Sequence, residues 1–114
     1  MKKRFKIMHS SDVNRRINEN DLRLYYCDSD IDFIVTTISK KHIEPSHVHK
    51  KNTESYYILQ GKLIMHVDGE KIELYPGDMM VIQPGVCHSF ETTCKEVCFY
   101  TIKKEPKIKD KELC

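Results

Sequence analysis

The sequence predicts an all-β domain built as an antiparallel sandwich or barrel. The chain has 114 residues, a length that suits one domain with a single core. From residue 21 onward, short runs rich in β-branched and aromatic residues follow one another, and Gly, Pro and Asp turn signals separate them. Helical periodicity is almost absent. Periodicity alone does not distinguish a jelly roll from an immunoglobulin-like sandwich.

The chain divides into three predicted segments. Residues 1–20 form a polar N-terminal arm, in which Val13 and Ile17 are spaced for a single helical turn. Residues 21–103 form one barrel domain. Residues 104–114 form a charged C-terminal tail that contains Pro106, and we expect this tail to fray.

The barrel domain contains eight strand-like runs. One pair of runs flanks Asp68-Gly69, a dipeptide that favours a type I′ turn because both central residues need a positive φ. The sequence therefore predicts a β-hairpin at this position. In order, the runs are Leu22–Cys27, Ile31–Ile38, Glu54–Leu59, Lys62–Val67, Glu70–Tyr75, Met79–Ile82, His88–Thr92 and Val97–Lys103.

Charge and hydropathy argue against two classes of partner. Nineteen basic and seventeen acidic residues leave a net charge of +2, which provides no electrostatic attraction to nucleic acid or to a membrane surface. No run of apolar residues is long enough to span a bilayer. The basic start, Met1–Lys6, is not followed by the apolar stretch of a signal peptide, so we predict a cytoplasmic protein.

The cysteines carry no recognisable pattern. Their irregular spacing, without a CxxC pair, argues against a disulfide framework or a thiolate zinc site. We expect unpaired thiols in a reducing compartment. An exposed Cys114 would then be able to cross-link chains, and Cys87 would point away from its neighbour His88. The five cysteines are Cys27, Cys87, Cys94, Cys98 and Cys114.

Three histidines and one glutamate form a possible metal-binding set. His47 and His49 are two apart, so on an extended chain they point to the same face. Glu54 follows after a polar stretch that can redirect the chain, and His88 begins a later strand. Three imidazoles and a carboxylate suit Mn, Fe, Co, Ni, Cu or Zn as a divalent ion. By spacing alone, a metal site and ordinary core or surface histidines are equally good interpretations.

The same residues resemble the two sequence motifs of the cupin superfamily, in the short form of small single-domain bacterial and archaeal members. Lys41 stands where the family usually has Gly, Gln83 where it has Pro, and Thr92 where it has Asn. None of these departures removes a ligand position. The first motif is matched by His47-x-His49, Glu54 and Gly61, and the second by Gly77, Pro84-Gly85 and His88.

The resemblance implies a double-stranded β-helix (jelly-roll) barrel with one divalent transition metal inside. The ligands it implies are His47, His49, Glu54 and His88. The two-residue strand period places Tyr56 on the face of Glu54 and Phe90 on the face of His88, so both should point into the cavity. Plain core packing is the alternative for both side chains, and we favour it for Phe90. Glu54 and Tyr56 are the candidates for a catalytic role. The family also implies a small-molecule partner and a homodimer.

Two functions remain open on this resemblance. The first is a metal-dependent enzyme acting on a small molecule, either a sugar or uronate isomerase or lyase, or a dioxygenase. The alternative is a non-catalytic cupin that binds or senses a small molecule. A storage role fits less well, because storage cupins tend to be larger or duplicated. No separate acid–base pair is visible in the sequence.

Overall fold

The computed structural model describes residues 4–17, 20–93, 95–104 and 110–114. Within these residues all regular elements are strands, and no helix is long and apolar enough to cross a membrane. The predicted all-β class is confirmed. The strands are β1 Asn14–Ile17, β2 Asp21–Cys27, β3 Ile31–Ile38, β4 His47–His49, β5 Glu54–Gln60, β6 Leu63–Val67, β7 Glu70–Leu74, β8 Met79–Ile82, β9 His88–Glu91, β10 Val97–Lys104 and β11 Lys111–Leu113.

The strands form two antiparallel sheets. One sheet has the order β1-β2-β3-β10-β5-β8, and the other has the order β11-β4-β9-β6-β7. Strands far apart in sequence are therefore neighbours in space. In particular, β4 lies next to β9, with His47 directly opposite His88, while β5 belongs to the other sheet.

The core lies between the two sheets. Ile38, Ile58, Leu63, Met65 and Val97 have no exposed surface. The alternating burial along β5 and β10 follows the two-residue period of a strand with one covered face. Such a core fixes the register of the strands, because a slip by one residue would turn every inward side chain outward.

The predicted hairpin is confirmed. β6 pairs with β7 from Leu63↔Leu74 to Val67↔Glu70. The connecting residues Asp68 and Gly69 have φ angles of 54° and 84°, as a type I′ turn requires.

The N-terminal arm contains a strand where we expected a helical turn. β1 pairs antiparallel with β2, from Asn14↔Leu24 to Ile17↔Asp21. The guanidinium of Arg15 donates to both carboxylate oxygens of Asp21, at 2.9 and 2.8 Å. The expectation from the spacing of Val13 and Ile17 is wrong, because the backbone of this segment pairs with the edge of β2 instead of forming a helical turn.

The last described residues also differ from expectation. β11 pairs with β4, with Lys111 opposite His49 and Leu113 opposite His47, and the Cys114 amide donates to the Ser46 carbonyl at 3.2 Å. The prediction that this end frays is wrong for residues 110–114. We call these five residues the C-terminal strap. Residues 105–109 lie outside the described part of the chain.

A disulfide joins the C-terminal strap to the barrel. Cys114 is bonded to Cys87, with the two Cα atoms 6.3 Å apart. The prediction of unpaired thiols is therefore wrong for these two residues, and Cys114 is not available to cross-link chains. Their separation of 27 residues gave no sequence signal, because only the return of the strap to β4 brings them together. Cys94 lies outside the described residues, and the cytoplasmic location stays a prediction.

Candidate metal centre

The structure brings together all four predicted ligands. Their ligand atoms, from His47, His49, Glu54 and His88, lie within 4.8 Å of one another. The three imidazoles are 2–5% exposed, and the Glu54 side chain is 14% exposed. The result is a compact polar cluster, closed almost completely from solvent, at one end of an apolar core.

The arrangement of strands explains how these residues meet. β4 supplies His47 and His49, its neighbour β9 supplies His88, and Glu54 opens β5 in the other sheet. The odd offset between His49 and Glu54 is accommodated because residues 50–53 leave the strand conformation and carry the chain from one sheet to the other. The predicted break between these two residues is thus confirmed.

Each imidazole is held through its Nδ1 atom. His47 Nδ1 donates to the Pro45 carbonyl at 3.0 Å, and His88 Nδ1 donates to the Val86 carbonyl at 2.9 Å. His49 Nδ1 donates to a carboxylate oxygen of Asp110 at 3.1 Å. Carbonyl and carboxylate oxygens accept hydrogen bonds, so Nδ1 carries the proton in all three rings. Each Nε2 is therefore directed to the centre of the cluster.

Glu54 is the acidic member of the cluster. One of its carboxylate oxygens accepts hydrogen bonds from His88 Nε2 at 3.1 Å and from the Tyr56 hydroxyl at 2.9 Å. Burial raises the pKa of Glu54, but the hydrogen bonds from His88 and Tyr56 outweigh burial and leave its pKa below the usual value. The carboxylate is therefore ionised at neutral pH.

The pKa values of His47 and His88 shift in opposite directions. Burial lowers the pKa of His47, so its Nε2 keeps a lone pair at neutral pH. Burial also lowers the pKa of His88, but its hydrogen bond to Glu54 outweighs burial and raises the pKa overall. His88 Nε2 therefore tends to carry a proton, which it shares with Glu54. This proton must leave before Nε2 can donate its lone pair to a cation.

Tyr56 supports Glu54 from the same strand. Its side chain is 3% exposed, and burial, together with the charge of Glu54, raises its pKa well above 10. The hydroxyl keeps its proton at neutral pH and acts as a donor to Glu54, which makes it unsuited to act as a base.

These residues fit a divalent first-row transition metal. A set of three nitrogens and one carboxylate oxygen is typical of such ions. The outer nitrogen of every imidazole already has an acceptor, an arrangement that fixes the tautomer and orientation of metal-binding histidines. A cation at the centre would also replace the proton between His88 and Glu54, since metal binding requires deprotonated ligands.

A small cavity of about 170 Å³ is lined by Tyr56, which hydrogen-bonds to Glu54, while the four cluster residues themselves are not among its described lining residues. The Tyr56 ring lies in its wall, 6.5 Å from the His88 ring and 6.3 Å from the Phe90 ring. The prediction that Tyr56 and Phe90 point inward is confirmed. The lining combines apolar and polar side chains, from Asn20, Leu22, Thr36, Ile38, Glu44, Tyr56, Phe90, Phe99 and Thr101.

Two residues near the cluster were missed by the sequence analysis. Glu44 lines the cavity and lies 3.4 Å from His42 Nε2 and 3.6 Å from Lys111 Nζ. Asp110 holds His49. Neither residue carries a local signal. Glu44 lies within the first motif, at a position that the motif does not specify. Asp110 lies in the tail, where lysines and acidic residues alternate.

The fold consists of two antiparallel sheets, and the site is a buried cluster of three histidines and one carboxylate. These two features define the class of small β-barrel protein to which the chain belongs. Residues 34–102 match the family model of the cupin domain. This match covers more than half of the chain. The chain therefore belongs to the cupin family, and its two sheets form the cupin jelly roll.

Similar proteins include enzymes of different kinds. Quercetin 2,3-dioxygenase from Bacillus subtilis is 39% identical over 44 residues, which cover 39% of this chain and 13% of that protein. KdgF from a Halomonas species has a TM-score of 0.80 at 14% identity, with 89% of this chain and 94% of that chain covered. A cupin sugar phosphate isomerase from Silicibacter pomeroyi has a TM-score of 0.77 at 15% identity, with 87% and 75% covered. At these identities the structural likenesses show the fold alone.

Proposed function

We propose that this cupin binds one divalent transition metal through His47, His49, Glu54 and His88, and that it acts as a metal-dependent enzyme on a small molecule. The observation that carries the proposal is the convergence of three Nε2 atoms and one carboxylate within 4.8 Å, with each Nδ1 already hydrogen-bonded. The metal is Fe, Mn, Ni, Co, Cu or Zn, all of which accept three nitrogens and one oxygen.

A bound metal would supply Lewis-acid chemistry, with coordination positions left over for water or substrate. The protein's own residues do the rest. Glu54 provides the negative charge that partly balances the cation, and Tyr56 holds the carboxylate in place through its hydroxyl. The near-complete burial of the imidazoles keeps bulk water from the centre.

We propose two reaction classes for this site. One is an isomerase or lyase reaction on a sugar or uronate, and the other is dioxygenation. The names of two similar proteins, a dioxygenase and a sugar phosphate isomerase, support dioxygenation and the isomerisation of a sugar. The cavity of about 170 Å³ is small against the roughly 300–1,000 Å³ of common ligand pockets. It therefore favours a small substrate, and the hydroxyls of Thr36 and Thr101 with the carboxylate of Glu44 suit one that carries hydroxyl groups.

A second candidate function is non-catalytic binding or sensing of a small molecule. The observation that favours it is the character of the cavity wall. Among the described lining residues, Glu44 and Tyr56 are the titratable ones, and Tyr56 keeps its proton. Glu44 is then the one carboxylate in the wall that can exchange a proton, which is little for acid–base catalysis. Binding of a small molecule needs no such exchange.

Metal content tests the first part of the proposal. We expect about one equivalent of transition metal per chain, by elemental analysis, in untagged wild-type protein, and none in the double variant His47→Ala/His88→Ala. His66→Ala is the matched control, because His66 pairs with Glu91 at 2.9 Å and stands outside the cluster. We expect it to bind metal as the wild type does. A wild type without metal, even after reconstitution, would contradict the proposal.

An assay of turnover distinguishes the proposed enzyme from a protein that only binds its ligand. The loaded protein is incubated with sugar phosphates, uronates and flavonols, and products and oxygen consumption are followed by mass spectrometry and an oxygen electrode. Iron with oxygen consumption would identify a dioxygenase, and zinc or manganese with rearranged or cleaved sugar would identify an isomerase or lyase. A ligand that binds and is recovered unchanged would support the binding role.

We also propose that the chain forms a homodimer. The six-stranded sheet ends at β8, a short edge strand whose outward side chains Met79 and Val81 are each 51% exposed. Exposed apolar edge strands are surfaces that proteins usually cover. A second copy of the chain would cover this one.

A further inference from the structure

We propose that Asp110 is a positioning residue that fixes the proton of His49 on Nδ1, so that the C-terminal strap completes the metal centre. The inference rests on the proposed metal binding and deepens it. Asp110 is not a ligand in this arrangement. It acts through His49, by determining which ring nitrogen presents its lone pair to the centre.

The contacts of Asp110 divide between its two oxygens. Oδ1 accepts a hydrogen bond from His49 Nδ1 at 3.1 Å and another from the Asn52 side-chain amide at 2.7 Å. Oδ2 accepts from the backbone amides of Lys51 and Asn52, at 2.7 and 2.8 Å. One oxygen thus orients the histidine, and the other anchors the residues that lead from β4 to β5.

The three histidines differ in where their acceptors come from. His47 and His88 donate to carbonyls two residues earlier in their own segments, at Pro45 and Val86. The acceptor of His49 comes from 61 residues away. It is also an ionised carboxylate, whereas the acceptors of the other two histidines are neutral backbone carbonyls. Among the three histidines of the cluster, His49 is the one whose Nδ1 acceptor comes from a remote segment.

Several interactions hold Asp110 in this position. The residue is 9% exposed, and a buried carboxylate is tolerated only where donors surround it. Four donors do so here. The strap that carries it pairs with β4 and is bonded to Cys87 through Cys114. The carboxylate is therefore a fixed part of the site.

The variant Asp110→Asn separates orientation from anchoring. An asparagine can keep its oxygen toward the backbone amides of Lys51 and Asn52, and its NH₂ group then faces His49 Nδ1 and the Asn52 side-chain amide, which must turn its oxygen toward the new donor. Because an NH₂ group only donates, His49 must accept at Nδ1 and carry its proton on Nε2. The lone pair that would bind the metal is then lost, although the chain path is kept.

The experiment has two readouts. Long-range ¹⁵N–¹H NMR of the metal-free protein reports which nitrogen of His49 is protonated, and chelator competition with Zn²⁺ or Mn²⁺ gives the affinity for the metal alone. We expect the proton on Nδ1 in the wild type and on Nε2 in Asp110→Asn. We expect the metal affinity of the variant to fall about 10–100-fold, as is usual when the partner of a metal-binding histidine is removed.

Two control variants exclude a general loss of structure. Glu112→Gln removes an exposed charge from the same strap, paired with Lys50 at 3.0 Å, and should keep the wild-type tautomer and affinity. Asn52→Ala removes one donor to Asp110, and we expect it to lower the melting temperature without moving the His49 proton. A His49 proton that moves in Asn52→Ala as it does in Asp110→Asn would overturn the inference.

The outcomes also distinguish this inference from the proposed function. A wild type that binds metal, together with Asp110→Asn of unchanged affinity and an Nδ1 proton, overturns the role of Asp110 and leaves the metal site standing. A moved proton in a protein that binds no metal supports the positioning role and contradicts the metal site. If Asp110→Asn does not fold, a wild-type His49 protonated on Nε2 still overturns the inference.

Discussion

The Tyr56 hydroxyl connects the buried cluster to the wall of the cavity. It donates to Glu54 at 2.9 Å from two residues further along the same strand, and its ring packs near those of Phe90 and Phe99. A buried hydroxyl needs a partner to offset its desolvation. Glu54 is that partner, so a tyrosine at this position serves both the core and the cluster.

Replacing Tyr56 should destabilise the metal-free protein. Tyr56→Phe keeps the ring and removes a hydrogen bond to an ionised carboxylate, an interaction that contributes about 1.5–3 kcal/mol. We expect the free energy of unfolding, from urea denaturation, to fall by about this amount. Tyr57→Phe is the control, since Tyr57 stacks on Tyr100 outside the core and a surface change there should cost less than about 0.5 kcal/mol. Equal effects of the two variants would contradict the role of the hydroxyl.

At the residue scale, the sequence predicts the side-chain directions that follow from the strand period and the positions that match a motif. It misses the contacts that depend on a partner far away in sequence. Tyr56 and Phe90 follow from counting by two along a strand. The cluster of three histidines and Glu54 follows from spacing and from the cupin motifs. Asp110 does not follow from either, because its hydrogen bonds reach residues about 60 positions earlier and no rule of spacing connects them.

Among the elements, the turn from β5 to β6 leaves no room for a side chain. Gly61 has a φ of 77°, and a Cβ there would lie 2.3 Å from the Glu96 carbonyl oxygen and 3.1 Å from the Val97 Cα. Both atoms are backbone and cannot move aside without disturbing β10. Gly77 has a φ of 92°, but among the described residues no atom beyond its two chain neighbours lies within 4 Å of its added Cβ. The two glycines are therefore required for different reasons.

We expect Gly61→Ala to cost clearly more stability than Gly77→Ala. A left-handed backbone conformation costs an alanine about 1–2 kcal/mol at either position. Gly61→Ala adds the contact with Glu96, which forces β5 or β10 to shift. Urea denaturation of the two variants gives the comparison. Similar losses in the two proteins would show that the turn opens without cost and would contradict this reading of the contact.

Eight of the strands were predictable, whereas the short β4 and the two terminal strands, β1 and β11, were not. The hairpin β6–β7 has a turn dipeptide and two β-rich runs as local signals. β1 and β11 are held by pairing with the backbone of β2 and of β4, and backbone pairing leaves no pattern in side chains. The Cys87–Cys114 disulfide was missed for the same reason, because it depends on the position of β11.

On the scale of the whole molecule, the outer face of the six-stranded sheet carries a row of aromatic rings. Phe33 stacks on Tyr100 at 4.8 Å between centroids, and Tyr100 stacks on Tyr57 at 4.9 Å. At the β8 edge of this sheet lie the exposed Met79 and Val81. Contiguous apolar surface of this kind commonly marks an interface between proteins.

We expect sedimentation equilibrium to give the mass of a homodimer. Val81→Lys places a charge on the exposed edge strand, which discourages strand pairing, and should shift the equilibrium to monomers by at least 10-fold in the dissociation constant. Glu70→Lys is the control, because Glu70 is exposed on β7 at the edge of the other sheet. A monomeric mass for the wild type across a wide range of concentrations would contradict the dimer.

The position of the C-terminal strap has a consequence for biosynthesis. A nascent chain that has emerged from the ribosome as far as residue 104 already contains all four cluster residues and strands β1 to β10. It still lacks the carboxylate that orients His49 and the sulfur that bonds to Cys87. The site described above is therefore complete only when the C-terminal strap has been synthesised and has paired with β4.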